Sequence, residues 1–159
     1  MSEYCIRDNL KRENTKKSLS LLKHESRLHL GNIKQKTRRA NIGNKFNDVV
    51  KPINGEPIIK KNVSSAFIGT DLKERLDKEK ITKLVIVGLM TDVCVSTTTR
   101  MAGDFGFENY LVSDATATFS KKGLDGQTFS AEIVHKTALA SLNDEFATIV
   151  TTEFIKQNI

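Results

Sequence analysis

The stretch that decides the fold of this chain is Lys83-Leu84-Val85-Ile86-Val87-Gly88-Leu89-Met90-Thr91-Asp92-Val93-Cys94-Val95. Its apolar run, residues 84–87, shows no alternation with polar residues, which is typical of a parallel strand covered on both faces. The run stops at Gly88, and Cys94 follows where the sequence indicates the beginning of a helix. The amide groups at a helix N-terminus favour a thiolate over a thiol. Cys94 is therefore a candidate nucleophile.

Composition indicates one globular domain. A chain of 159 residues with 38% hydrophobic residues can bury a single core, and no apolar run approaches the 18 residues of a membrane span. Residues 1–17 lack the apolar segment of a secretory signal, so we expect a cytoplasmic protein without a membrane partner. The only two cysteines, Cys5 and Cys94, argue against a disulfide framework or a thiolate zinc site.

Positive charge is concentrated in the N-terminal third of the chain. Residues 1–51 carry 13 Lys or Arg against five acids, whereas residues 52–159 carry 12 against 14. The cluster lacks an aromatic platform, zinc-finger spacing or a helix-turn-helix pattern, which favours a solvated surface over nucleic-acid binding. Apolar residues spaced through residues 14–37 predict a basic amphipathic helix or helix pair. We therefore predict a basic helical segment, residues 1–38, and a domain, residues 39–159.

Strands and helices alternate from residue 57 onward. The sequence predicts strands at 57–60, 84–89, 110–113 and 148–151, and helices at 71–80, 93–105 and 127–142. This alternation indicates an α/β fold with crossover connections, a mostly parallel sheet and three αβα layers. Ligands of such folds bind beyond the carboxyl ends of the strands, which is where Cys94 lies in the sequence.

Four motifs occur in order along this part of the chain: GEPIIKK (55–61), SAFIGTDL (65–72), GLMTDVCVSTTTR (88–100) and SDATAT (113–118). Together, over about residues 40–154, they resemble the isochorismatase-like cysteine hydrolases, which include nicotinamidases and N-carbamoylsarcosine amidohydrolase. The resemblance implies a three-layer fold and cleavage of an amide or carbamoyl C–N bond in a small-molecule substrate. It also implies a homo-oligomer.

The resemblance assigns roles to particular residues. Cys94 corresponds to the nucleophile, and Lys61, separated by three residues from the Ser-Ala-Phe element, corresponds to the catalytic lysine. It further implies a cis Leu89–Met90 peptide and an oxyanion hole formed by the backbone amides of Met90 and Cys94. Phe67 and Thr91 are expected at the substrate pocket. No cofactor is expected, and no metal, because the Asp-x-His metal signature is missing.

The family's catalytic aspartate, which ends the first strand, has no evident match. The apolar run before Asp8 consists of Cys5 and Ile6 only, which is too short for a buried central strand. We therefore predict that this strand is missing. The N-terminal side of the domain would then be incomplete, and the strand at 84–89 would present an apolar edge that favours association.

Other carboxylates and the three histidines have plainer interpretations. Asp92 and Asp114 are expected in turn chemistry or helix capping rather than in catalysis. His24, His29 and His135 are expected on helices, at the surface or in the core.

Two functional hypotheses follow from the sequence. The first is a cysteine hydrolase that acts on a small amide or carbamoyl compound through an acyl-enzyme. The alternative is a catalytically impaired relative, kept as a binding or scaffold protein. An activated Cys94 would alkylate well below pH 8, whereas a packed thiol would resist until the protein unfolds.

Overall fold

The computed structural model describes residues 4–7, 27–31, 54 and 56–158. The strands are β1 (Tyr4–Arg7), β2 (Arg27–Gly31), β3 (Ile58–Lys60), β4 (Lys83–Leu89), β5 (Glu108–Ala117), β6 (Lys121–Lys122), β7 (Thr128–Phe129) and β8 (Thr148–Val150). The α-helices are α1 (Leu72–Lys78), α2 (Ser96–Asp104), α3 (Ala131–Ala140) and α4 (Thr152–Asn158). A π-helical turn, Thr91–Val95, joins β4 to α2.

Within the described residues, six strands form one sheet in the order β3-β2-β1-β4-β5-β8, and every pairing in it is parallel. β6 and β7 form a separate antiparallel hairpin. The predicted parallel α/β fold is confirmed. Because parallel strands align their carboxyl ends, β1, β4 and β5 end at one edge of the sheet.

Both faces of β4 are buried, as its continuous apolar sequence predicts. Leu84 and Ile86 belong to a core cluster shared with Leu72 and Leu76 of α1, whereas Val85 and Val87 belong to a second cluster. That second cluster includes Ile155 of α4. Since alternate residues of a strand point to opposite faces, the two clusters are the two sides of the sheet. The result is the three-layer arrangement.

The first strand is present, so the prediction that it is missing is wrong. β1 lies between β2 and β4, with Cys5 paired to Val85 and Ile6 to Ile86. The apolar run of β1 is too short to predict a strand from the sequence. Its central position in the sheet depends on pairing with two neighbouring strands rather than on its length. β4 therefore has a strand on each side, and the argument for association through an open β4 edge no longer holds.

The helical prediction for residues 14–37 is wrong at Arg27–Gly31, which forms β2. Leu28 and Leu30 are two residues apart, the spacing of one face of a strand rather than of a helix. His29 accordingly lies in a strand. The rest of the predicted helix and His24 lie outside the described residues. The boundary at residue 38 stays a prediction, although β1 and β2 belong to the same sheet as the strands beyond it.

The helix predicted from residue 127 begins later, at Ala131. β7 occupies Thr128–Phe129, and the Ser130 hydroxyl accepts a hydrogen bond from the Ile133 amide at 3.2 Å as the N-cap of α3. Across the described part of the chain, no helix is long and apolar enough to cross a membrane.

Candidate active site

The turn that carries Cys94 begins two residues earlier than the sequence predicts. β4 ends at Leu89, the Leu89–Met90 peptide is cis, and helical structure starts at Thr91. The Met90 carbonyl accepts hydrogen bonds from the amides of Val93 (3.0 Å) and Val95 (3.1 Å), the second spanning five residues. We call Thr91–Val95 the nucleophile turn.

Cys94 lies at the N-terminal end of a continuous helical segment. It is the fourth residue of the nucleophile turn, which runs directly into α2, and its thiol is free and partly exposed. The first amides of a helix lack partners in earlier turns, and their dipoles add to a partial positive charge there. Cys94 thus presents a free, partly exposed thiol in the turn that joins β4 to α2.

Gly88 allows the chain to leave the sheet at this point. Its φ of 137° is a conformation that side chains with a Cβ rarely adopt, so glycine is required here. The pairing of β4 with β5 also shifts register here. Ile86 pairs with Leu111 and Gly88 with Thr116, so β5 advances by five residues while β4 advances by two. The nucleophile turn thus begins where the regular ladder is interrupted.

Lys61, the predicted catalytic lysine, is buried with only 2% of its surface exposed. Its ammonium donates hydrogen bonds to the carbonyls of Ser64 at 2.9 Å and Val63 at 3.3 Å. A buried ammonium needs such partners because desolvation penalises an isolated charge. The loop that follows β3 is consequently wrapped around the lysine head group.

This lysine loop is attached to the helix that carries Cys94. The Ala66 amide donates to the Thr98 hydroxyl at 3.1 Å, and the Ser65 hydroxyl contacts the Met101 sulfur at 2.8 Å. Thr98 is four residues after Cys94, so the two side chains lie on one helix face, one turn apart. The Ser-Ala-Phe element therefore docks beside the helix face that bears the thiol.

Thr91 is fully buried, and its hydroxyl oxygen lies 2.8 Å from Nδ1 of His135 on α3. Burial lowers the pKa of His135 below its ordinary value, and a hydrogen bond from the ring to the Ser113 backbone opposes part of that shift. Thr91 thus faces α3. The prediction that His135 lies on a helix is confirmed, but its contact with the nucleophile turn could not be read from the sequence.

The two carboxylates with plainer interpretations make structural contacts. Asp92 accepts hydrogen bonds from Thr118 and Lys121, so it connects the nucleophile turn to the segment after β5. Asp114 accepts from the amide (2.8 Å) and hydroxyl (2.6 Å) of Thr152, at the beginning of α4. Capping is therefore confirmed for Asp114, and it acts on a helix distant in the sequence.

Phe67 packs at the opposite end of α2 from Cys94. Its ring stands edge-on to Phe105 at 5.3 Å and stacks with Phe107 at 6.1 Å between centroids. Eleven residues separate Cys94 from Phe105, or roughly 16 Å of helix at 1.5 Å per residue. The expected place of Phe67 at the substrate pocket stays a prediction.

Two predictions concern Asp8 and the absence of a metal site. Asp8 lies outside the described residues, but it is the residue directly after β1 in the sequence. Because β1 is present, Asp8 is a candidate for the aspartate that ends the first strand in the family. Among the residues that the structure describes, no group of three or more His, Cys, Asp or Glu could hold a metal ion.

Comparison with known proteins agrees with this architecture. Residues 12–154 match the model of the isochorismatase domain. The chain is 50% identical over 113 residues to the isochorismatase family protein YrdC of Bacillus subtilis, a match that covers 71% of this chain and 60% of YrdC. It is 29% identical over 122 residues to nicotinamidase 3 of Arabidopsis thaliana, covering 74% of this chain and 56% of that protein.

A solved structure gives the same result for the fold. A protein of the isochorismatase family from Chromobacterium violaceum superposes with a TM-score of 0.88 at 26% identity, covering 98% of this chain and 92% of that one. The chain spans about 60% of the length of YrdC. From its domain match, its sheet and its nucleophile turn, this chain belongs to the isochorismatase family.

Proposed function

We propose that the chain is a cysteine hydrolase that cleaves the C–N bond of a small amide or carbamoyl compound. The observation that carries this proposal is the docking of the lysine loop on α2, one turn from Cys94, through the Ala66–Thr98 hydrogen bond. A partly exposed thiol near a helix N-terminus, with a buried ammonium on a loop that docks on the same helical segment, suits nucleophilic catalysis. The nicotinamidase relative supports an amide as the substrate class.

The reaction has two halves. The Cys94 thiolate attacks the carbonyl carbon, and the amides of Met90 and Cys94 stabilise the oxyanion of the tetrahedral intermediate. When the C–N bond breaks, the nitrogen takes a proton and leaves as ammonia or an amine, with a thioester on Cys94. Water then attacks the thioester, releasing the acid and restoring the thiol.

We assign the general base to Asp8. In the sequence Asp8 directly follows β1, the strand that pairs with β4. As general base, the Asp8 carboxylate would take the thiol proton and return it to the leaving amine. Lys61 would stabilise both anions through its charge.

The test is ammonia release by the purified chain from a panel of primary amides, carbamoyl amines and ureido compounds. We expect Cys94→Ala to abolish release and Cys5→Ala to retain it, and acid-quenched wild type to carry an acyl group on the Cys94 peptide. Turnover that survives Cys94→Ala would refute the mechanism. No turnover on any compound, together with a Cys94 that alkylates only after unfolding, would favour the non-catalytic alternative.

A further inference from the structure

The imidazole of His135 links three elements around the nucleophile turn. His135 lies on α3, its Nδ1 is 2.8 Å from the Thr91 hydroxyl, and its ring also bonds to the backbone of Ser113 in β5. The histidine joins α3 to the turn and to the adjoining strand.

The Thr91 hydroxyl and Nδ1 of His135 are hydrogen-bond partners at 2.8 Å. A hydroxyl can donate or accept, and a neutral imidazole has one donor and one acceptor nitrogen, so this pair forms a hydrogen bond in either tautomer. Thr91 has no exposed surface, so water cannot replace this partner without a rearrangement of the turn.

Resting on the proposed function, we propose that His135 is a positioning residue that holds the nucleophile turn in its catalytic geometry through the Thr91 hydroxyl. Thr91 directly follows Met90 and precedes Cys94 by three residues, so it lies between the two amides assigned to the oxyanion hole. The Met90 carbonyl is fixed from the helix side by Val93 and Val95. The Thr91 side chain fixes the turn from α3.

Paired substitutions test the link. Thr91→Val removes the hydroxyl at nearly constant volume, and His135→Ala removes the imidazole. We expect each to lower kcat on the order of 10- to 100-fold with little change in KM, because small displacements of reacting groups carry costs of that size. The double variant should be no worse than either single one, since both break the same contact.

Conservative and matched variants separate positioning from general damage. Thr91→Ser keeps the hydroxyl, and His135→Asn keeps a polar acceptor near the place of Nδ1, so both should retain most of kcat. Thr137→Val is the control on α3, because the Thr137 hydroxyl bonds only to the Ile133 and Val134 carbonyls of its own helix. It should behave as wild type.

A second readout does not depend on turnover: the rate at which iodoacetamide alkylates Cys94 at neutral pH, measured on the Cys94 peptide. Thr91→Val and His135→Ala should change this rate several-fold, equally and without addition in the double variant. If wild type cleaves no amide, the proposed function fails while this rate still decides the positioning role.

Three results would overturn the inference. They are an unchanged kcat and alkylation rate in Thr91→Val, losses that multiply in the double variant, or an equal loss in Thr137→Val. If His135→Ala does not fold, the comparison of Thr91→Val with Thr91→Ser still tests whether the Thr91 hydroxyl positions the turn.

Discussion

The hydrogen bond between the Ala66 amide and the Thr98 hydroxyl offers the sharpest test of how the site is assembled. Ala66 is 0% and Thr98 2% exposed, and their N···O distance is 3.1 Å. Thr98→Val replaces the hydroxyl with a methyl of similar size and leaves a buried N–H without its acceptor. Such a loss costs about 1–3 kcal/mol. For a domain of this length, with roughly 2–4 °C per kcal/mol, Tm should fall by roughly 2–12 °C.

The matched control is Thr99→Val on the same helix. Thr99 is equally buried, but its hydroxyl donates to the Val95 carbonyl of the same helical segment at 2.9 Å. Such back-bonding slightly destabilises a helix, so its removal should change stability little. Thermal unfolding by circular dichroism and urea titration measure both variants.

The difference between the two variants reports the bond between the lysine loop and α2. If Thr98→Val and Thr99→Val unfold together within about 0.5 kcal/mol, the scatter of ordinary surface changes, this bond does not hold the loop. If the proposed function holds, Thr98→Val should also lower kcat while Thr99→Val retains it.

Three further predictions concern the proposed catalytic groups and pH. Asp8→Asn should abolish ammonia release without lowering Tm, because an amide cannot accept the thiol proton; activity retained by this variant would exclude Asp8 as the base. Lys61→Met should keep the aliphatic packing of a side chain that is 2% exposed but remove its charge, slowing alkylation of Cys94 at neutral pH. An alkylation rate equal to that of wild type would show that the charge of Lys61 does not affect the reactivity of the Cys94 thiol. Because the folded-state pKa of His135 is lowered, the unfolded chain binds its proton first as pH falls below about 6.5, so stability should drop there. In His135→Asn the urea midpoint should change less with pH in this range than it does in wild type. If both proteins show the same slope, the loss of stability comes from other groups.

Groups near His135 bear on the pH experiment. Glu132 and Lys136 on α3 pair with each other, Asp92 of the nucleophile turn pairs with Lys121, and Asp114 of β5 binds Thr152. The hydrogen bond from Lys136 lowers the pKa of the Glu132 carboxyl, which moves its titration away from the window just below pH 6.5 in which the effect of His135 is measured.

Local sequence predicted the part of the fold that local rules govern. The unbroken apolar run of β4 required cover on both faces, and Leu84 with Ile86 and Val85 with Val87 supply those two faces. The same stretch predicted a helix after Gly88 and a cysteine near its beginning. The spacing of the family pattern, which is itself linear, selected Lys61 as the expected catalytic lysine, and that role stays a prediction.

Tertiary structure decided what depends on distant partners. β1 is a strand because β2 and β4 pair with it, and a short apolar stretch carries no sign of such neighbours. The His135–Thr91 contact joins residues 44 apart and the Ala66–Thr98 contact residues 32 apart. Sequence by itself predicted which side chains would carry the proposed chemistry. Only the crossover connections of a parallel sheet determined which segments meet, because they bring segments far apart in the chain to one edge.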